Sequence, residues 1–351
     1  MHDSSPLVTA ALAAWQPPAT WWHIDTIDAH TAGEPFRVVV AGYPEPGGDT
    51  MLDRRRYIAT HYDHLRRALM LEPRGHADMY GCIVTTPATP DGHLGVLFMH
   101  NEGYSTMCGH GIIGLATVLV EAGYFGETIP DPIRIDAPAG RIEARVVFDG
   151  ERVRRVTFRN VASYAALLDG AVDVEGLGRV RFDIGFGGAY YAYVDAASIG
   201  LACRPERIQE LIDAGKRIKR AVAAAHPIVH PEAEDMGFLY GVIFTGPAET
   251  AERHSRHVCV FAEGEVDRSP TGTGVSGRLA ILHARGELYL HETVRIESVV
   301  GSEFSGSIVA TESFGGHDAV IPEVSGSASI TGKHQFLIDP EDPFREGFLL
   351  R

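Results

Sequence analysis

Two short segments of the chain carry the same pattern of glycines and lie 163 positions apart. Residues 107–114 read MCGHGIIG and residues 270–277 read PTGTGVSG, with Cys108 and Thr271 at matching positions. Each segment is a polar, Gly-rich turn that runs into an apolar stretch suited to a helix. A duplicated enzyme usually builds its site where its halves meet, so we expect the two helix starts to face one ligand. One start carries a thiol and the other a hydroxyl.

The composition excludes several classes of partner. The chain has 351 residues, enough for two ordinary domains, and its 45% hydrophobic and 22% charged residues are typical of a soluble globular protein. The net charge of -15 argues against nucleic acid or an anionic membrane surface as partner. The sequence contains no run of 18 apolar residues, so no membrane-spanning helix is predicted. A small-molecule substrate is the partner that we expect, and a homodimer is left open.

The cysteines indicate the compartment. The four of them are irregularly spaced, with no C-x-x-C pair, so neither a disulfide framework nor a zinc site is predicted. We read Cys82, Cys203 and Cys259 as small buried hydrophobic residues. A mildly apolar stretch near the start lacks the preceding basic residues of a signal peptide. The pattern favours the reducing cytoplasm.

The order of the predicted elements indicates an α+β fold built from two pseudo-symmetric halves, each with strands around a central helix. Residues 1–22 are predicted to be a leader segment. The first half comprises residues 23–182 plus 335–351, and the second comprises residues 183–334. Strands and helices do not alternate regularly, which disfavours a doubly wound parallel sheet. The predicted helices cover Arg54–Leu71, Gly111–Ala122, segments within Arg204–Ala225, and Gly274–Arg285.

Both glycine segments formally match G-x-G-x-x-G, yet a dinucleotide site is disfavoured. Such a site needs a buried strand directly before the first glycine. The residues found there, 104–107 and 267–270, are polar or contain proline. A P-loop is excluded because no Lys-Ser/Thr pair follows the glycines.

The glycines suit a carboxylate clamp better. Backbone N–H groups at a helix start have no partner within the helix, and the helix dipole there favours negative charge. Two facing starts would offer the N–H groups of Gly109, His110, Gly272 and Thr273 to the carboxylate of an amino acid. Ordinary helix-start geometry without a ligand is the alternative.

Three side chains near the helix starts are candidates for chemistry. A helix N-terminus lowers the pKa of a cysteine from about 8.5, so we predict that Cys108 is a thiolate base or nucleophile rather than an inert buried thiol. Asp267 could hold a substrate ammonium group, or it could only form its turn or pair with Arg268. His110 could bind the same nitrogen or Asp267, or it could be a packed or capping histidine.

No metal or cofactor is predicted. His226 and His230 have helical spacing, but each is followed by a proline. His254 and His257 have no carboxylate at ligand spacing.

The segments around Cys108 and Thr271 resemble the proline racemase family. That family includes proline racemases, 4-hydroxyproline epimerases and trans-3-hydroxy-L-proline dehydratases. The resemblance spans roughly Ile24 to Phe348, with further matching blocks at residues 28–35 with Arg37, 72–76, 101–104, 183–189, 297–304 and 342–348. It implies two similar halves with the ligand between them, as in proline racemase and diaminopimelate epimerase.

The resemblance also implies a reaction. Racemases and epimerases of this family place one cysteine on each face of the substrate Cα, whereas here Thr271 replaces the second one. A threonine hydroxyl is a far weaker acid than a thiol, so inversion with two bases should fail. The Cys/Thr pair is associated with cofactor-independent dehydration of trans-3-hydroxy-L-proline to Δ1-pyrroline-2-carboxylate. The alternatives are a 4-hydroxyproline epimerase or proline racemase with an unusual second acid, and a non-catalytic amino-acid-binding protein.

Overall fold

The computed structural model describes residue 12 and residues 14–350. Most of the predicted leader lies outside the described residues. Residues 14–21 contain no helix or strand, and the first strand begins at Trp22.

The described residues form five α-helices and eighteen β-strands, with three short 3-10 helices at Ala196–Ile199, Pro205–Arg207 and Glu234–Met236. The helices are α1 (Met51–His61), α2 (Asp63–Met70), α3 (Gly109–Glu121), α4 (Ile208–Ala225) and α5 (Gly272–Ala284). The first nine strands are β1 (Trp22–Thr31), β2 (Glu34–Ala41), β3 (Tyr80–Thr85), β4 (Leu94–His100), β5 (Tyr104–Ser105), β6 (Ile133–Ala137), β7 (Gly140–Phe148), β8 (Val153–Arg159) and β9 (Ser163–Val174). The other nine are β10 (Gly178–Phe186), β11 (Tyr190–Asp195), β12 (Leu239–Gly246), β13 (Ser255–Phe261), β14 (Glu265–Asp267), β15 (Thr293–Glu297), β16 (Glu303–Phe314), β17 (His317–Gly326) and β18 (Ala328–Ile338).

The strand pairing repeats once along the chain. Strand β2 pairs in parallel with β3, and β4 pairs in parallel with β6. The second set matches, because β11 pairs in parallel with β12 and β13 with β15. Parallel neighbours need a long crossover, and α3 lies in the crossover from β4 to β6 just as α5 lies in that from β13 to β15. The duplication seen in the glycine segments therefore extends to the whole topology.

The two central helices are buried along nearly their whole length. Every residue of α3 except Glu121 is buried, which is what a helix that is apolar on all sides requires. Helix α3 packs against β1, β2, β7, β8 and β18, and α5 packs against β9, β10, β11, β16 and β17. The predicted α+β class with strands around two central helices is confirmed.

The last two strands of each repeat pair with the other repeat. Strand β18 pairs with β1, β9 pairs with β10, and β17 pairs with β8. The predicted division points, 182/183 and 334/335, lie inside β10 and β18. The halves drawn from the sequence therefore do not coincide with whole strands, and that division stays a prediction.

The predicted helix over Arg54–Leu71 is in fact two helices. Thr50 caps α1, accepting from the Asp53 N–H at 3.1 Å, while the Asp53 carboxylate accepts from the Thr50 N–H. The chain leaves helical geometry at Tyr62 (φ -134°, ψ 19°), and α2 begins at Asp63. The other helix predictions agree with α3, α4 and α5 to within a few residues. Within the described part of the chain, no helix combines the length and apolar character needed to cross a membrane.

Candidate active site

The starts of α3 and α5 touch each other through their backbones. A Cβ added to Gly109 would lie 2.5 Å from Cα of Gly272, and one added to Gly272 would lie 2.7 Å from Cα of Gly109. No real Cβ atom tolerates such a distance, so both positions require glycine. The predicted facing of the two helix starts is thus present in the structure.

Cys108 is the N-cap of α3. Its Sγ accepts a hydrogen bond from the Gly111 N–H at 3.2 Å, and both ring nitrogens of His110 lie 3.4 Å from it. The thiol is 4% exposed, so water barely reaches it. A thiolate formed here would be stabilised by a helix N-terminus and by a neighbouring imidazolium.

His110 also contacts Asp267, which belongs to the other repeat. Its Nδ1 lies 3.4 Å from Oδ2 of Asp267, and both side chains are buried. Burial alone would lower the pKa of His110, but the Cys108 thiolate and the Asp267 carboxylate raise it to about 10. Burial alone would raise the pKa of Asp267, but His110 and Ser269 bring it below its ordinary value. We therefore describe the pair as imidazolium and carboxylate near neutral pH.

The N–H of Gly111 at the helix start does lower the pKa of Cys108, but the prediction that this pKa lies below its ordinary value is wrong for this closed site. Burial raises the pKa of the thiol, and Asp267 raises it further. His110 and the Gly111 N–H act in the opposite direction without cancelling the effect of burial. The sequence indicates the helix start but not that the thiol is shut away from water.

Thr271 differs from Cys108 in more than its side-chain atom. Its backbone adopts φ 64° and ψ 96°, a left-handed conformation that is rare for a β-branched residue and costs about 1–3 kcal/mol. Its hydroxyl does not cap α5. Among the described residues, Oγ1 has no partner within hydrogen-bonding geometry, although it is buried. Cys259 lies beside it. Burial raises the pKa of this thiol well above its ordinary value, and the Thr271 hydroxyl acts in the opposite direction.

The two helix starts enclose a small, nearly closed cavity of about 10 Å³. All seven predicted site residues line it: Cys108, Gly109, His110, Asp267, Thr271, Gly272 and Thr273. The first N–H groups of α3 and α5 have no carbonyl acceptor within their own helix. The cavity can therefore offer N–H donors to a carboxylate and the Asp267 carboxylate to a cation. The binding roles of these residues stay predictions.

Several cavity residues were missed by reasoning from the sequence. Tyr80, Tyr191, Tyr240, Phe261, Met107 and Cys259 complete its wall. The Tyr191 hydroxyl bonds to Oγ1 of Thr273 at 2.8 Å, and the Tyr80 and Tyr240 hydroxyls lie 3.3 Å apart. These tyrosines come from β3, β11 and β12, and no local motif marks them. Only the strand pairing brings them to the helix starts.

Asp267 is held in place by its neighbours along the chain, Glu265 and Arg268. The Glu265 carboxylate lies 3.1 Å from Nδ1 of His100, and the Arg268 N–H donates to the Glu34 carboxylate at 2.6 Å. The Arg268 guanidinium lies 2.8 Å from the Asp78 carboxylate rather than pairing with Asp267. Burial raises the pKa of Glu34 well above its ordinary value, and Asp267 adds to this. The segment from Glu265 to Arg268 is therefore docked onto the first repeat by polar contacts on both sides of Asp267.

A larger, open groove lies elsewhere, beside Cys203 and Arg256. Arg256 is paired there with Glu249 at 2.9 Å and Glu297 at 3.0 Å, and the Cys203 thiol donates to the Phe244 carbonyl at 3.5 Å. Among the described residues that line this groove there is no histidine, so Cys203 has no counterpart of the His110 imidazole that lies beside Cys108. Within residues 12 and 14–350, no three His, Cys, Asp or Glu side chains are grouped so as to hold a metal ion.

Comparison with known proteins identifies one family over nearly the whole chain. The family profile described as proline racemase matches residues 26–349. Trans-3-hydroxy-L-proline dehydratase of Colwellia psychrerythraea is 47% identical over 341 residues, covering 96% of this chain and 96% of that protein. The 3-hydroxyproline 2-epimerase of Burkholderia multivorans is 46% identical over 329 residues, covering 93% of this chain and 98% of that protein.

A solved structure has the same fold. A hydroxyproline epimerase from Agrobacterium vitis, crystallised with trans-4-hydroxy-L-proline, superposes with a TM-score of 0.88 at 29% sequence identity. The match covers 95% of this chain and 96% of that one. The fold built from two strand-wrapped helices is therefore that of an experimentally known structure.

Proposed function

Because the chain belongs to the proline racemase family, we propose that it dehydrates trans-3-hydroxy-L-proline to Δ1-pyrroline-2-carboxylate. The two named relatives, a dehydratase and an epimerase, have nearly equal identity, so overall similarity does not choose between the two reactions. The choice rests on the active site itself. It follows from the unequal pair formed by Cys108 and Thr271.

The observation that carries the proposal is Thr271 at the position where inversion would need a second acid. To invert Cα, one group must remove the proton from one face and another must deliver a proton to the opposite face. A threonine hydroxyl is a far weaker acid than a thiol, and Thr271 Oγ1 forms no hydrogen bond of normal geometry with any described residue. Dehydration needs no acid on that face.

The substrate would be held by its two charged groups. The N–H groups of Gly109, His110, Gly272 and Thr273 would bind the carboxylate, since helix starts attract anions. The Asp267 carboxylate would bind the ring ammonium, and its lowered pKa keeps it charged for this purpose. As negative charge develops next to the carboxylate during proton removal, the same N–H groups would stabilise it.

The stereochemistry of the substrate lets one residue perform the elimination. In trans-3-hydroxy-L-proline the carboxylate and the 3-hydroxyl lie on opposite faces of the ring, so the α-hydrogen shares a face with the hydroxyl. Cys108 would act in its thiolate form, which the His110 imidazolium and the Gly111 N–H favour against burial. It would take the α-proton, and the electron pair of that bond would form the Cα–Cβ double bond while the C–O bond breaks. The thiol would return its proton to the departing oxygen, which leaves as water. The enamine would then tautomerise to the cyclic imine.

The compartment is part of the proposal as well. The four cysteines are free thiols, and all of them are buried. Free thiols are typical of proteins in reducing compartments, which supports a cytoplasmic location.

The test is to incubate the protein with trans-3-hydroxy-L-proline and trap the product with o-aminobenzaldehyde. We expect coloured adduct to form in proportion to enzyme, with none from trans-4-hydroxy-L-proline or L-proline. Chiral chromatography of the same mixtures should show no D-isomer. Inverted hydroxyproline without trapped imine would instead support the epimerase alternative, and tight binding without any product would support a binding protein.

A further inference from the structure

The proposed reaction leaves one question open, which is how the site recognises the hydroxyl group that departs. The inference below rests on the proposed function. Since the 3-hydroxyl shares a face with the α-hydrogen, the group that binds it must lie on the Cys108 side of the cavity. Apart from Cys108, which returns a proton to it, none of the residues predicted from the sequence is assigned to this oxygen.

Tyr80 is the cavity residue that meets this requirement. Its ring lies 4.8 Å from that of His110 in an edge-on arrangement, and His110 contacts the Cys108 thiol. Tyr80 is 3% exposed and comes from β3, the strand paired with β4. After burial, the Cys108 thiolate is the next contribution that raises the pKa of Tyr80 well above its ordinary value. The phenol therefore stays protonated beside the reacting thiol.

The Tyr80 hydroxyl is oriented by neighbours behind it. Oγ of Ser105 lies 2.5 Å away, and the Tyr240 hydroxyl lies 3.3 Å away. A phenol has one O–H to donate and lone pairs to accept. If Ser105 donates to Tyr80, the phenol proton is available to a ligand in the cavity. Ser105 is buried, so this short contact is shielded from water.

A tyrosine hydroxyl on the other side of the cavity is hydrogen-bonded to a residue of α5. Tyr191 bonds to Thr273, which matches His110 in the repeat. The pKa of Tyr191 is raised first by burial and then by Cys259, the thiol beside Thr271. The cavity therefore has different tyrosines near its two helix starts. Tyr80 lies near Cys108, and Tyr191 lies near Thr273 and Cys259.

We propose that Tyr80 recognises the 3-hydroxyl of the substrate, donating a hydrogen bond to the oxygen that leaves. This contact makes Tyr80 the residue that distinguishes a 3-hydroxylated ring from unsubstituted proline. Tyr80 keeps its own proton, because the proton that completes the water molecule comes from Cys108. Its hydrogen bond strengthens as negative charge grows on the departing oxygen.

The test compares Tyr80→Phe with the wild-type protein in two measurements. The first is kcat/KM for dehydration of trans-3-hydroxy-L-proline, which we expect to fall on the order of 100-fold. The second is the Kd of pyrrole-2-carboxylate by calorimetry, which we expect to be unchanged. This planar ring carries the carboxylate but no hydroxyl, so its binding reports an intact cavity.

Tyr164→Phe is the matched control. Tyr164 is also fully buried, and its hydroxyl lies 2.5 Å from that of Tyr190, away from the cavity. Its replacement removes a comparable buried hydroxyl and should leave both measurements unchanged. Ser105→Ala, which loosens the Tyr80 hydroxyl without removing it, should reduce dehydration by a smaller factor than Tyr80→Phe.

Two results would overturn the assignment of Tyr80. One is dehydration at the wild-type rate by Tyr80→Phe, and the other is an equal weakening of dehydration and of pyrrole-2-carboxylate binding. The proposed function fails separately, if the wild-type protein binds pyrrole-2-carboxylate yet forms no imine from trans-3-hydroxy-L-proline. In that case the proposed role of Tyr80 is wrong as well.

Discussion

Replacement of Cys108 by serine is expected to lower the rate of dehydration about 1,000-fold or more while ligand binding persists. Cys108→Ser keeps a small polar side chain that can still cap α3 by accepting from the Gly111 N–H. The serine hydroxyl is a much weaker acid than the thiol, so the base that takes the α-proton is lost. The measurement is kcat by imine trapping, together with the Kd of pyrrole-2-carboxylate.

Cys203→Ser is the control for this substitution. Cys203 is a second buried, free thiol, and it lies outside the cavity between the helix starts. The control should dehydrate at the wild-type rate. If Cys108→Ser also turns over at a comparable rate, the base is another group and the proton path through Cys108 is wrong.

Replacement of Thr271 by cysteine is expected to create an epimerase. Thr271→Cys supplies a thiol at the start of α5, so a proton can be delivered from a position where the wild-type protein has only a threonine hydroxyl. The change removes β-branching at a residue with φ 64°, so cysteine should adopt this left-handed conformation at least as readily as threonine does. We expect inversion at Cα of trans-4-hydroxy-L-proline about 100-fold above the wild-type background.

Thr271→Ser serves as the matched control, because it keeps the hydroxyl and provides no thiol. Chiral chromatography should detect the D-isomer with Thr271→Cys and not with Thr271→Ser. Equal inversion by the wild type and by both variants would mean that another group already donates a proton on that face. Cys259, which lines the cavity beside Thr271, would then be the first residue to examine.

The glycine repeat was enough to predict the arrangement at the centre of the fold. Glycines at matching positions allow two helix starts to approach closely, and Gly109 and Gly272 are in contact. The approach needs no information beyond the repeat itself, because any larger side chain would separate the helices. The same repeat identified Cys108 and Thr271 as counterparts.

Other features depend on contacts between distant strands, which a local pattern does not encode. Tyr80 and Tyr191 reach the cavity only after β3 and β11 have paired within the sheet. Cys259, interpreted from the sequence as a small buried hydrophobic residue, is buried but also faces the cavity. The raised pKa of Cys108 depends on how completely the two repeats enclose it. Thus the sequence indicates which groups are present, and packing determines their environment.

The backbone difference between the two helix starts was also not predictable. Cys108 has an extended φ of -142°, whereas Thr271 is left-handed. The contacts around Thr271 show how its conformation is held: its N–H donates to Oγ of Ser269, and its carbonyl accepts from the Val275 N–H. The asymmetry of the site therefore includes the main chain as well as the exchange of a thiol for a hydroxyl.

The most direct test of the one-sided mechanism is to run the wild-type reaction on trans-3-hydroxy-L-proline in D2O and stop it before completion. The account predicts trapped imine, while all recovered substrate keeps its L configuration at Cα, even where Cys108 has exchanged the α-hydrogen for deuterium. Recovery of the Cα-inverted isomer carrying deuterium, with no imine trapped, would contradict it. That result would mean that the Thr271 side of the cavity delivers a proton after all.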